Sequence, residues 1–167
     1  MIELRSHSTD DTRSIAAAVA RLARPGDLIV LAGEMGAGKT AFAQGFAREL
    51  GIHEPVTSPT YTLVHTYHAG RTTLHHADLY RLDHTAEVDD LALAELLEDD
   101  AIVLVEWGDV VDLGDHLQIE LRPDNDSARD SEHDGTNDRE ITITSSDRRW
   151  APRWERLEAA LDQWVQQ

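Results

Sequence analysis

Leu28-Ile29-Val30-Leu31-Ala32-Gly33-Glu34-Met35-Gly36-Ala37-Gly38-Lys39-Thr40 is the stretch on which the fold turns. Its five opening apolar residues have the length of a strand covered on both faces. From Gly33 the chain satisfies G-x-x-x-x-G-K-[ST] at every fixed position, and a helix ending near Leu50-Gly51 follows. Strand, glycine-rich turn and helix in that order make the phosphate-binding P-loop unit. Glycines let the main chain curl so that successive N–H groups point at phosphate oxygens. The unpaired amides and positive dipole end of the following helix add to them. Lys39 would neutralise β- and γ-phosphate charge, and Thr40 would offer its hydroxyl to Mg²⁺. Lys39 is the chain's one lysine, and random placement of this composition gives the pattern with odds of roughly five in ten thousand. A glycine-rich turn without chemical consequence is therefore the weaker reading.

Outward from this unit the chain alternates strands and helices. Residues 2–5 read as a short strand. Ser8 and Asp11 have capping-box spacing, and Ile15, Val19 and Leu22 recur at helical intervals, so 9–23 reads as an amphipathic helix stopped by Pro25-Gly26. Two extended runs, 60–68 and 72–80, meet at Ala69-Gly70 as a hairpin. Leucines and alanines predict a helix within 86–97. Ala101-Ile102-Val103-Leu104-Val105 is a second fully apolar strand, closed by Glu106, and further strands are expected near 116–122 and 140–144. Residues 124–140 hold seven carboxylates, two arginines and no large apolar side chain, the composition of a mobile, solvated loop. Trp150, Trp154, Leu157, Leu161 and Trp164 form a helical stripe after Pro152. The expected architecture is a three-layer α/β, P-loop NTPase-like domain over 1–147, with a mixed, mainly parallel central sheet and helices on both faces. A C-terminal amphipathic helix, 148–167, is expected to pack on it.

Composition narrows the function. The 167 residues are 41% hydrophobic, enough for a buried core, and 15 Lys+Arg against 32 Asp+Glu leave a net charge of −17. Autonomous binding of nucleic acid or an anionic membrane needs a cationic footprint, which this balance does not supply. The chain has no cysteine, so neither a disulfide framework nor a thiolate zinc site is expected. No secretory signal or apolar run of about 20 residues is visible, and a cytoplasmic location is the expectation. A protein this acidic repels a polyphosphate at long range, so a single lysine at the γ-phosphate position argues for binding.

A P-loop needs a further acidic group at the end of another buried strand, to hold the metal or its waters. Glu106 fits that place, since a carboxylate there is costly to bury without a cation or metal. Asp78, in His75-His76-Ala77-Asp78-Leu79-Tyr80-Arg81, is the other candidate; a surface ion pair with Arg81 is the competing reading. Strand alternation puts His76, Asp78 and Tyr80 on one face. The nine histidines read as core or surface residues, not a metal site. Thr57-Ser58-Pro59-Thr60-Tyr61 reads either as a plain loop or as a switch whose hydroxyls sense the γ-phosphate.

Several P-loop classes are excluded. A guanine-reading Asn/Thr-Lys-x-Asp segment needs a second lysine, and no Leu-Ser-Gly-Gly-Gln signature is present. Arg148, Arg149 and Arg153 form the one tight arginine cluster, and it sits in the terminal helix, not in a nucleotide-kinase lid. Four motifs, G-E-M-G-A-G-K-T at 33–40, S-P-T-Y-T-L-V at 58–64, D-L-Y-R-L at 78–82 and V-E-W at 105–107, lie in the order and spacing of the TsaE family. The chain resembles that family from about Ile2 to Thr144.

The resemblance implies an ATPase of the P-loop fold that binds ATP and Mg²⁺ and hydrolyses ATP slowly by itself. It also implies a role in forming threonylcarbamoyladenosine at position 37 of tRNA, alongside the TsaD–TsaB pair that performs the transfer. By motif position Lys39, Asp78 and Glu106 would be catalytic, and Thr40 and Glu106 would hold the metal. Gly33, Met35, Gly36, Ala37, Gly38, Lys39, Thr40 and Ala41 would surround the phosphates, Trp107 would stand beside the site, and Ser8-Thr9 would lie near the adenine. The acidity then reads as a surface for docking on a basic face of the partner pair, with generic solubility as the alternative. A small-molecule P-loop kinase and a nucleotide-gated binding module without required turnover stay open at this level.

Overall fold

The computed structural model describes residues 1–59, 64–79, 93–98, 100–106, 113–124 and 138–165, with the side chains of 93, 94 and 98 left out. The strands are β1 (Ile2–Ser6), β2 (Leu28–Ala32), β3 (Val64–Ala69), β4 (Thr72–Asp78), β5 (Ala101–Glu106), β6 (Leu117–Pro123) and β7 (Arg139–Ser145). They form one sheet in the order β1-β7-β6-β2-β5-β4-β3. Ladder directions put β1, β2, β4, β5 and β6 one way and β3 and β7 the other. The sheet is thus mixed and mainly parallel, as the alternation of elements predicts.

Position in the sheet explains each strand's composition. Central β2 and β5 are buried at every residue and carry unbroken apolar runs, because helices cover both faces there. Toward the β1 edge the pattern becomes alternating, with Ile2, Leu4, Leu117, Ile119, Leu121, Ile141 and Ile143 buried on one face. Helices α1 (Thr9–Ala20) and α2 (Lys39–Glu49) cover that face with Ile15, Val19, Phe42 and Phe46. On the other face Leu28, Val30, Ala77, Leu79, Val103 and Val105 pack with Leu96 and Leu97 of α3 (Leu93–Glu98). The sequence-predicted helix 86–97 is seen from Leu93 onward; 86–92 lie outside the described residues.

Local chemistry sets the helix ends. Ser8 Oγ accepts from Asp11 N at 3.0 Å, as the spacing implies, while Asp11 Oδ2 reaches one residue beyond the cap and accepts from His7 N at 3.0 Å. Within α2, Gly45 allows a close crossing: a Cβ there would lie 2.4 Å from Arg13 O of α1. A helical glycine costs about 1 kcal/mol, and the two-helix contact it permits is the reason to keep it.

The C-terminal segment folds back onto the α1 side. A 3-10 turn (Arg148–Arg153) carries Pro152 and leads into α4 (Trp154–Leu161). Trp150, Leu157 and Leu161 are fully buried, and Trp154 and Trp164 are partly buried against the same cluster. Arg153 fastens the segment. Its Nη1 donates to Asp27 Oδ2 at 2.6 Å and Leu22 O at 2.8 Å, and its Nη2 to Asp27 Oδ1 at 3.0 Å. The guanidinium carbon stands 4.0 Å from the Trp150 ring centroid.

The acidic stretch is narrower than its composition suggests. β7 already begins at Arg139, and Asp124 is buried, paired with Arg5 at 2.8 Å. Sheet pairing claims Arg139 and Glu140 opposite Ser6 and Arg5; 125–137 lie outside the described residues. Among the described residues no helix is long and apolar enough to cross a membrane.

Candidate functional site

β2, β4 and β5 are parallel, so their C-terminal ends open on one edge of the sheet. In open α/β sheets such an edge is where ligands bind. β2 ends at Ala32 and hands over to the loop 33–38, from which α2 starts at Lys39. Gly33 has φ +140°, and a Cβ there would stand 2.3 Å from Leu121 O, so only glycine allows the loop to leave β2 against β6. Gly38 is the N-cap of α2 at φ +109° and offers no side-chain cap. The first amides of α2 are therefore left for another acceptor.

The loop is stitched by Ala37 N to Glu34 O at 3.1 Å and Phe42 N to Gly38 O at 2.9 Å. Arg139 of β7 braces it from the flank, Nε donating to Ala37 O at 3.1 Å. Lys39 is buried and arches over the turn, its Nζ donating to Gly33 O at 2.7 Å and Glu34 O at 2.9 Å. Met35 and Gly36 are exposed at the tip, Ala37 is buried, and Thr40 and Ala41 are half-buried on the first turn of α2. Ser8 caps α1 and Thr9 is exposed beside it. Thr12 of that helix comes within 4.0 Å of a Cβ built on Gly38, so the head of α1 flanks the loop.

The two candidate carboxylates meet through sheet register. Asp78 pairs with Glu106 across β4 and β5, and Glu106 pairs with Leu31 of β2. Alternation puts Glu106 on the face of Ile102 and Leu104, and His76 and Asp78 on the face of Leu74, the face that α1 and α2 cover. All three polar residues are buried. Each carboxylate has a donor: Ser58 Oγ donates to Asp78 Oδ2 at 3.0 Å, and His76 Nε2 lies 2.8 Å from Glu106 Oε1. Asp78 is thus an interior residue at the loop-bearing edge, and Trp107 and Arg81 lie outside the described residues.

Two pairings escape a reading of the chain alone. His76 reads as an ordinary core histidine until register brings β5 beside β4. Ser58 stands in a segment that reads either as plain loop or as a hydroxyl switch, and its bond to Asp78 emerges only in the folded chain. Gln44 Nε2 donates to Val56 O at 3.2 Å, fixing that segment to α2. Tyr67 of β3 holds it from the other side: burial pushes its phenol up, an N–H from Thr57 pulls it partly back, and the Glu54 charge adds to the rise. The shared face of His76 and Asp78 is the signal that was legible.

The donor set suits a nucleoside polyphosphate with Mg²⁺. Among the described residues no three His, Asp or Glu side chains form a ready cation cage. Mg²⁺ is ordinarily held by one or two carboxylates together with phosphate oxygens, and hydroxyl and carboxylate oxygens are what this edge presents.

A family profile described as "Threonylcarbamoyl adenosine biosynthesis protein TsaE" matches residues 6–131. The tRNA threonylcarbamoyladenosine biosynthesis protein TsaE of Bacillus subtilis is 36% identical over 152 residues, 89% of each chain. Its Streptomyces coelicolor namesake is 38% identical over 146 residues, 83% of this chain and 93% of that one. A crystal structure of Bacillus subtilis YdiB superposes with a TM-score of 0.75 at 32% identity, covering 95% of this chain and 97% of the other. With the profile spanning most of the length, and relatives matching nearly end to end, the chain belongs to the TsaE family.

Proposed function

We propose that this chain is a cytoplasmic, ATP-binding and slowly ATP-hydrolysing subunit required for threonylcarbamoyladenosine formation at adenosine 37 of tRNA. It acts on the TsaD–TsaB transferase and does not perform the transfer. One observation carries the nucleotide reading: a buried lysine arched over an uncapped helix start, on the edge where two buried carboxylates stand side by side. The family name carries the pathway.

In this reading the triphosphate lies along the loop amides, with its γ end toward β5 and β4. Lys39 exchanges its two loop carbonyls for β- and γ-phosphate oxygens, a stronger, charge-assisted pairing. Thr40 and Glu106 would hold Mg²⁺, which would supply neutralisation of phosphate charge when bound. Asp78, fixed by Ser58, orients the attacking water. The head of α1 at Ser8-Thr9 lies on the nucleoside side, and Trp107, next in the chain after Glu106, borders the site. Hydrolysis resets the transferase, and the net charge of −17 favours docking on a basic face of it.

The deciding experiment measures phosphate release from ATP with and without purified TsaD–TsaB. Slow release alone, altered by the pair, is expected; absence of ATP binding by calorimetry with Mg²⁺ would end the reading. Complex formation should weaken steeply between about 50 and 500 mM salt, and an affinity indifferent to salt removes the electrostatic docking.

A further inference from the structure

His76 is fully buried in β4, two residues before Asp78 and on the same face. Its register partner is Leu104, so the ring reaches diagonally across β5 to Glu106, with Nε2 2.8 Å from Oε1. A carboxylate only accepts, so Nε2 carries the shared proton. Nδ1 has no hydrogen-bond partner among the described residues. Such a ring is an expensive occupant of a face that is apolar on one side of it, at Leu74, Ile102 and Leu104, and acidic on the other, at Asp78 and Glu106. The bond to Glu106 is the one polar contact it makes among the described residues.

We propose that His76 is a positioning residue for the nucleotide–metal site. Engaging Oε1 holds the Glu106 carboxylate in one orientation and leaves Oε2, outside that bond, available to a cation. Without that bond the carboxylate rotates, and its burial beside Asp78 has no second-row support. Ser58 performs the same office for Asp78, so each acid in the pair has its own donor. Donors behind ligating groups commonly change metal affinity or activity by about 10- to 100-fold. The inference rests on the ATP–Mg²⁺ reading of this edge.

The test titrates a fluorescent ADP analogue into wild type, H76A and H76Q, each with Mg²⁺ and with EDTA, while thermal unfolding is followed in parallel. Wild type should bind more tightly with Mg²⁺. H76A should lose about 10-fold of that gain yet keep its EDTA affinity within about twofold. H76Q should recover most of the gain, because the glutamine amide donates at nearly the reach of Nε2. H76A retaining the full Mg²⁺ gain overturns the proposal. So do parallel losses with Mg²⁺ and with EDTA, equal in H76A and H76Q, since those report packing alone. If H76A does not fold, H76N, whose amide stops short of Glu106, takes its place against H76Q with the same expectations. Wild type binding nucleotide in neither buffer is a separate failure: the functional reading falls first, and the role of His76 with it.

Discussion

β2 has buried ionisable groups just beyond each of its ends, and they are handled in opposite ways. Before Leu28, Asp27 receives both terminal nitrogens of Arg153 and the Arg24 amide at 2.8 Å, while Val103 N donates to its carbonyl at 3.0 Å. Arg153 also donates to Leu22 O and Arg149 O, using four of its five N–H groups. The charged groups there are met from within the chain, although the buried Trp150 Nε1 beside them has no hydrogen-bond partner among the described residues. Beyond Ala32, Lys39 is met by main-chain carbonyls of its own loop, and the Glu106 carboxylate, among the described residues, by one imidazole nitrogen. A carboxylate has about four acceptor positions, so Glu106 keeps capacity for a ligand. One end is closed and holds the C-terminal segment in place. The other is left open at a cost in stability, as functional sites commonly are.

The contrast can be broken most forcefully at the closed end. R153A strands Asp27 in the interior and should cost about 3–5 kcal/mol in denaturant unfolding, with nucleotide affinity of the folded protein unchanged. A wild-type unfolding midpoint would dissolve the distinction. The double variant D27L/R153M sharpens it, since exchanging both partners for apolar groups is commonly neutral or stabilising.

At the open end, K39A should weaken ATP binding by about 100-fold in calorimetry, because charge-assisted bonds to phosphate are lost. Its unfolding free energy should move less than its ATP affinity does, since the ammonium donates to Gly33 O and Glu34 O of its own loop. Unchanged ATP affinity would remove the phosphate assignment. Next in size, E106A should slow Mg²⁺-dependent phosphate release by about 10- to 100-fold while leaving Mg²⁺-free nucleotide affinity within about twofold. Equal losses in both would make Glu106 a structural acid.

The smallest effect is at Asp147, beside the closed end. Burial raises its carboxyl, but the Arg149 hydrogen bonds and charge, with the Arg153 charge, outweigh that and hold it below the ordinary range. A depressed acid stabilises above its unfolded value, about pH 4, and that share is lost as pH falls through the folded value. The stability gap between wild type and D147N should therefore be wider near about pH 6 than near about pH 2.5. A gap independent of pH would show that the Arg149 pair does not stabilise the fold.

Legibility in the sequence tracked how local each cause was. β2, the loop and α2 read correctly because an unbroken apolar run, fixed glycines and one lysine act through neighbours in the chain. The hairpin turn at Ala69-Gly70 and the Ser8 cap were equally local. The alternating edge strands were found, but β7 started earlier than its composition indicated, because Arg139 and Glu140 are held by cross-strand partners far away in sequence. Glu106 and Asp78 were legible as acids at strand ends. That they lie side by side, each with its own donor, was not, since His76–Glu106 spans 30 residues and Ser58–Asp78 spans 20. Arg153–Asp27, separated by 126 residues, left no trace in any local pattern.

From the string of residues alone come the phosphate-binding unit, the order of strands and helices, the family motifs and the acidity, all properties of short windows or of composition. Strand order, register and the packing of α1 and α2 on one face needed the folded chain. They bring β4 beside β5 and the terminus back to β2, and burial then dictates which polar groups must pair. Short-range periodicity records what each segment prefers; desolvation acts only when segments meet.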